Sequence, residues 1–138
     1  MPIRESERGR YAANWPEIST AAKERAGWRC EMCHAPHKAI ICRGTYGQAI
    51  GSYMLPDGEV RCEEDGAYEG HARGSEFVGR YLRVILTTAH LDHQPENNDP
   101  GNLRVLCQLH HLRHDRPHHV AMRRLNRATR LGQGDLFA

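Results

Sequence analysis

Two half-sites, Cys30-x-x-Cys33 and Cys107-x-x-His110, restrict what this chain can fold into more than any other feature. A two-residue gap lets a turn point two ligands at one ion. Three sulfurs and an imidazole nitrogen are a common closed tetrahedral set for Zn²⁺. A closed site does no chemistry; it ties the two ends of a domain together. The chain has 138 residues, 39% hydrophobic and 7% aromatic, which is one small domain with a weak core. A structural zinc, worth roughly 10 kcal/mol or more to folding, compensates for that weakness. The other readings of these residues are a redox CxxC or free core thiols. Among the five Cys, Cys42 and Cys62 lack close partners and read as free thiols. The alternative for them is a second metal site with His34, His37 or His71.

Paired Cys outside a disulfide framework fit a reducing compartment, so the expected location is the cytoplasm. The polar stretch Met1–Arg10 does not read as a signal peptide. No apolar run approaches the roughly 18 residues of a membrane span, and no membrane partner is expected. Net charge is +2, but the charge is unevenly placed. Asp57 to Glu69 holds six acids against one base, Arg61, whereas Leu103 to Leu131 holds seven Arg and one acid, Asp115. A basic end suits a phosphate backbone, a solvated helix face being the other reading.

The chain divides into a polar leader (1–13), a single domain (14–131) and a C-terminal tail (132–138). Asn14-Trp15-Pro16-Glu17 reads as a helix start, with Asn14 as cap, Glu17 closing a capping box and Gly27 as terminator. Residues 34–80 read as an irregular, Gly-rich, acidic insertion, with short strands around Ala39–Cys42 and Glu59–Cys62. Phe77 to Ala89 becomes strand-like, Gln94 to Gly101 is a loop, and Leu103 to Cys107 alternates as a second strand. Gln108 to Asp115 predicts a short helix, Pro117 interrupts it, and His118 to Leu131 predicts a second, basic helix.

The segment Ala89-His90-Leu91-Asp92-His93, a polar loop, then Asn102 through His111, is the richest in chemistry. A strand delivers Asp92 and His93, a second strand follows Asn102, and a helix delivers His111. An imidazole near neutral pH can take a proton from water. A carboxylate and an imidazole can hold a divalent ion and leave coordination positions for phosphate and water. An amide beside the base can fix its ring through the carbonyl oxygen.

This stretch resembles the HNH endonuclease motif, also called the ββα-metal or His-Me finger. Members commonly carry an Asp-His or His-His pair, a central Asn, and a final His after a Leu-Cys-x-x-Cys-His run; here the run is Leu106-Cys107-Gln108-Leu109-His110-His111. Trp28-Arg29-Cys30-Glu31-Met32-Cys33 is similar to the first zinc knuckle of the zinc-bearing members. The resemblance covers residues 14–33 and 81–119, and not the insertion. It implies an α+β fold: a small ββα-metal nuclease unit stapled by a structural zinc, with flanking helices.

The resemblance also implies metal-dependent hydrolysis of DNA phosphodiester bonds. His93 is then the general base and Asn102 orients it. Asp92, His111 and His114 surround a catalytic Mg²⁺ or Mn²⁺. Cys30, Cys33, Cys107 and His110 hold the zinc, with His110 where a fourth Cys is usual. His110 and His111 are adjacent and could exchange roles, and Asn97 or Asn98 could stand in for Asn102. His90 reads as a buried hydrogen-bonded residue, and His118 and His119 as surface residues. Arg113, Arg116, Arg123, Arg124, Arg127 and Arg130 are the candidates for DNA phosphates. The alternative function is a zinc-stabilised nucleic-acid-binding module without catalysis, such as a phage packaging or assembly factor. The tail, residues 133–137, resembles peptides that dock bacterial DNA-processing enzymes onto the sliding clamp, with Gly134 where Leu is usual. Leu136 and Phe137 folding back onto the domain's own core is the competing expectation.

Overall fold

The computed structural model describes residues 5–73 and 76–134. Helix α1 spans Trp15–Arg25 and carries Pro16 in its first turn, where a missing N–H costs nothing. Asn14 occupies the cap position, but its side chain makes no capping bond. Its backbone (φ −98°, ψ 26°) lies outside the extended region that aims a cap oxygen at the first N–H groups, so the expected capping by Asn14 is not formed. Gly27 follows the helix in the left-handed region (φ 67°), as a terminator should. The described part of the leader, from Glu5 on, is more ordered than its composition suggests. Glu5–Arg10 forms a 3-10 turn, and Arg10 reaches across to Glu96 at 2.7 Å and Gln94 at 3.0 Å.

The insertion is the main departure from expectation. It is not irregular but builds an antiparallel sheet from β1 (Ile40–Gly44), β2 (Ser52–Met54), β3 (Glu59–Cys62), β4 (Tyr68–His71) and β5 (Gly79–Arg83). The strand order is β4-β3-β2-β1-β5. β1 and β3 fall where short strands are expected; β2 and β4 are too short and too mixed to show a period. On one face Ile41 and Tyr53 enter the main core, and on the other Cys42 and Met54 join Ala49 and Phe77 in a second small core. Burial on both faces removes the polar-apolar alternation that would betray a strand. Gly79 pairs with Gly44 across β1 and β5. A Cβ on Gly79 would stand 2.1 Å from the Arg43 carbonyl oxygen, so the strands meet this closely only with glycine there.

The stretch from Phe77 to Ala89 forms two strands in different sheets rather than one. β6 (Thr87–His90) pairs with β7 (Leu103–Leu106) in a separate antiparallel ribbon, in the register Thr88↔Val105 and Ala89↔Arg104. Between the sheets the chain crosses at Val84–Leu86, where Val84 and Leu86 are fully buried. The Val84 N–H donates to Ala39 O at 2.8 Å and the Leu86 N–H to His37 Nδ1 at 3.1 Å, which satisfies the N–H groups of the two buried residues at the crossing. Ser19 on α1 donates to Thr88 Oγ1 at 2.9 Å, fixing the helix to the ribbon.

Helix α2 (Gln108–Gly134) follows β7 directly, so β6, β7 and α2 stand in the order strand, strand, helix. Pro117 does not divide it into two helices. Pro117 is exposed, and water can satisfy the carbonyl that its missing N–H leaves open. The helix continues past Gly132, so Gln133 and Gly134 are helical; Asp135, Leu136, Phe137 and Ala138 lie outside the described residues. No described helix is long and apolar enough to cross a membrane.

Candidate functional site

The two half-sites meet. Cys30 and Cys33 sit on a turn closed by His34 N–H to Cys30 O at 2.8 Å and by Cys30 N–H to Ala35 O at 3.0 Å. His34 takes the left-handed conformation (φ 62°) that this turn requires. Glu31 clamps the turn to β7: its N–H donates to Val105 O at 2.9 Å, and its carboxylate accepts from the Val105 N–H at 2.6 Å. Two residues beyond that clamp, Cys107 stands between the end of β7 and the start of α2, which puts His110 one turn along on the same side.

Cys33 Sγ lies 3.8 Å from Cys107 Sγ, Cys30 Sγ 3.8 Å from His110 Nδ1, and Cys107 Sγ 3.3 Å from His110 Nδ1. All four ligand atoms lie within 4.8 Å of one another, and all four residues are buried. Hydrogen bonds from Cys107 and Cys33 hold the Cys30 thiol far below its ordinary range, whereas its neighbours Cys107 and Cys30 drive Cys33 upward. The sulfurs of Cys107 and Cys30 push His110 up to about 9. Without a cation these thiols compete for protons in one buried space. A divalent ion relieves that competition, and the donor set fits Zn²⁺. The group could hold a zinc ion. His110 Nε2 is buried and finds no hydrogen-bond partner, consistent with Nδ1 being the ligating atom.

A second group lies at the other end of the same ribbon. His93 ends the turn after β6 with a left-handed backbone (φ 58°). Its ring stacks between His114 (centroids 4.6 Å apart) and His118 (4.3 Å), both on α2. His93 Nδ1 is 3.7 Å from Asp115 Oδ1, and His111 Nε2 is 3.2 Å from Asp115 Oδ2. His93, His114 and Asp115 place their ligand atoms within 4.8 Å of one another, an arrangement that could hold a metal ion. Asp115 is the residue that sequence reasoning missed. Its signal was the i,i+4 spacing from His111, which puts both side chains on one face of a helix. His118, expected at the surface, is exposed yet belongs to this stack.

Asp92 and Asn102 stand differently from their expected roles. The Asp92 carboxylate accepts from the Gln94 N–H (2.8 Å), from Asn97 Nδ2 (2.9 Å) and from Asn102 Nδ2 (2.9 Å). These bonds, Asn97 foremost, hold its carboxyl down to about 2. Asp92 is not within the group formed by His93, His114 and Asp115. The Asn102 carbonyl oxygen, expected to orient the base, accepts the Asp92 N–H at 3.1 Å, and its amide also donates to Asn97 O. Both residues brace the loop between β6 and β7. His90 is buried and hydrogen-bonded as expected: Nε2 lies 3.0 Å from Asn98 Oδ1, and Trp15 stacks on its ring at 4.7 Å. The His90 carbonyl lies 3.3 Å from His114 Nε2, which links the strand end to the stack.

The arginines divide into two sets. Arg113 is paired with Glu64 at 2.8 Å and stands 3.9 Å from Glu63, so its charge is directed at the insertion. Arg116, Arg123, Arg124 and Arg127 are exposed along α2, and the Arg130 side chain lies outside the described residues. Cys42 is buried in the second core, Cys62 is half-buried, and both are free thiols. Of the histidines weighed as their partners, His37 accepts from the Leu86 N–H, and His71 lies 2.8 Å from Tyr68 Oη. Comparison with protein-family models, with curated proteins and with solved structures gives no match. The chain is an α+β domain with a buried Cys₃His group and a histidine–aspartate group at opposite ends of one strand ribbon.

Proposed function

We propose that this chain is a metal-dependent HNH-type endonuclease that hydrolyses DNA phosphodiester bonds, with the Cys₃His group as a structural zinc site. The observation that carries the reading is the convergence of His93, His111, His114 and Asp115 where a two-stranded ribbon meets a helix. His93 takes a proton from water as the water oxygen attacks phosphorus. The ester P–O bond breaks, and the leaving oxygen keeps the bonding pair. Asp115, on the Nδ1 side of His93, stabilises the imidazolium that results. His114 and Asp115, with His111 Nε2 3.2 Å from the Asp115 carboxylate, are the residues that would hold a divalent ion such as Mg²⁺ or Mn²⁺. Such an ion supplies charge neutralisation at the phosphate and the leaving oxygen. Exposed arginines on α2 would contact neighbouring phosphates.

One observation favours a second reading, a zinc-stabilised nucleic-acid-binding module without catalysis. Asp92 is engaged by its own loop rather than by the histidine group. Incubation of plasmid DNA with the protein and Mg²⁺ or Mn²⁺, with and without EDTA, separates the two. Metal-dependent nicking or linearisation supports the nuclease, while DNA retardation without cleavage supports the binding module.

A further inference from the structure

Arg43 is a cation that reaches the Cys₃His group. It sits on β1, in the insertion, and its side chain is only 12% exposed. Its Nη2 donates to Cys107 Sγ at 3.4 Å, and its Nη1 meets Glu63 Oε1 at 3.2 Å. Glu63 is also nearly buried, and its other oxygen faces Arg113 on α2 at 3.9 Å. The insertion grips the first half-site too. Tyr53 on β2 donates to the Cys33 carbonyl at 2.6 Å, and a Cβ at Gly66 would stand 2.5 Å from that same oxygen.

Charge explains the arrangement. Three thiolates and a neutral imidazole around Zn²⁺ leave a formal excess of negative charge in a site with no solvent to spread it. Burying such a charge is unfavourable unless a counter-charge is nearby. Arg43 supplies it, Glu63 balances Arg43, and Arg113 balances Glu63. The result is a line of alternating charge from the metal group to the helix that carries the histidines. An N–H donor on a metal-bound sulfur also withdraws electron density from it, which lowers its reactivity.

We propose that Arg43 is the outer-sphere counter-cation of the zinc group, that it makes Cys107 the least reactive of the three zinc thiolates, and that supplying it is a function of the inserted sheet. The inference rests on the zinc reading of the Cys₃His group. It concerns neither DNA nor cleavage.

The test begins with the zinc content of the purified chain by elemental analysis. Zinc release to an excess of a chromogenic chelator is then compared for wild type, Arg43→Met and Arg43→Lys. Loss of an outer-shell partner costs about 10–100-fold in metal affinity. Release from Arg43→Met is expected to be at least about tenfold faster, with Arg43→Lys between the two because it keeps the charge but not the fork. In parallel, mass mapping of limited alkylation of the zinc-loaded wild type is expected to find Cys107 modified after Cys30 and Cys33. That measurement needs no variant, so it decides the matter even where Arg43→Met does not fold. A zinc-free wild type removes the zinc reading itself. A zinc-loaded wild type whose release is unchanged in Arg43→Met, or whose Cys107 is alkylated first, overturns the role of Arg43 alone.

Discussion

His93 and Asp115 stand 22 positions apart in the sequence and 3.7 Å apart in space. If His93 is the base, His93→Ala removes roughly 10²–10⁴ of the cleavage rate while leaving zinc content and DNA retention in place. Plasmid cleavage at wild-type speed by that variant would show that another group takes the proton. Asp115→Asn should slow cleavage at least about tenfold, because it removes a negative group beside the imidazolium and a metal donor at once. Asp92 answers to a different measurement. Its carboxyl, held at about 2 against an ordinary 3.8, is depressed in the folded state. Its stabilisation is therefore full above the ordinary value and is lost as pH falls towards about 2. Asp92→Asn should be less stable than wild type at pH 5, with the difference shrinking as pH drops from about 4 to about 2. Denaturant curves at both pH values check this, and a pH-independent difference would mean that the loop does not depend on the ionised carboxylate.

Helix α2 carries residues of both candidate groups: His110 at its first turn, then His111, His114, Asp115 and His118, then the arginines. Its continuity through Pro117 comes at a conformational cost of about 3 kcal/mol relative to a residue that can donate. Pro117→Ala is therefore expected to raise stability, read as a higher urea midpoint with unchanged slope. No gain would mean that the helix beyond His118 frays independently of the domain. Arg123 and Arg127 are an i,i+4 pair and share a face, whereas Arg124 lies beside it. Replacing Arg123 and Arg127 with Gln should weaken DNA binding equally for unrelated sequences. It should also reduce the slope of log K against log salt by about 2. An intact slope would leave these arginines as a solvated face.

Across the whole molecule, the Cys₃His group lies where the turn after α1, the inserted sheet and the ribbon with α2 meet, and its cysteines share one core with Ala22, Ile41, Tyr53 and Val105. Cys107 and Cys30 are both members of the main core cluster. Losing a ligand therefore opens the core as well as the site. Purified protein is expected to hold about one Zn²⁺ per chain. Cys107→Ser or prolonged chelation should lower the melting temperature or abolish a cooperative transition, measured by circular dichroism. Full thermal stability in metal-free protein would sink that expectation.

The sequence by itself determined the parts whose signals are local. Ligand spacing marked Cys30, Cys33, Cys107 and His110 as one group. The order of extended and helical segments around Asp92 and His111 marked strand, strand and helix. Glycine and proline marked where α1 begins and ends. Tertiary structure decided what depends on distant pairing. The short strands β2 and β4 exist because neighbours satisfy their backbones, and their few residues hold no period to read. Val84–Leu86 looked like the middle of one strand because burial is the same whether a chain stays in a sheet or crosses between two. Asn102 looked like an orienting amide, yet its bonds go to the Asp92 N–H, the Asp92 carboxylate and the Asn97 carbonyl. Asp115 became the neighbour of the histidines, and Arg43 the neighbour of Cys107, only when folding carried each to its partner. Which charge stands beside which imidazole or sulfur is a property of the packed chain, since no periodicity in the sequence records the approach of residues so far apart.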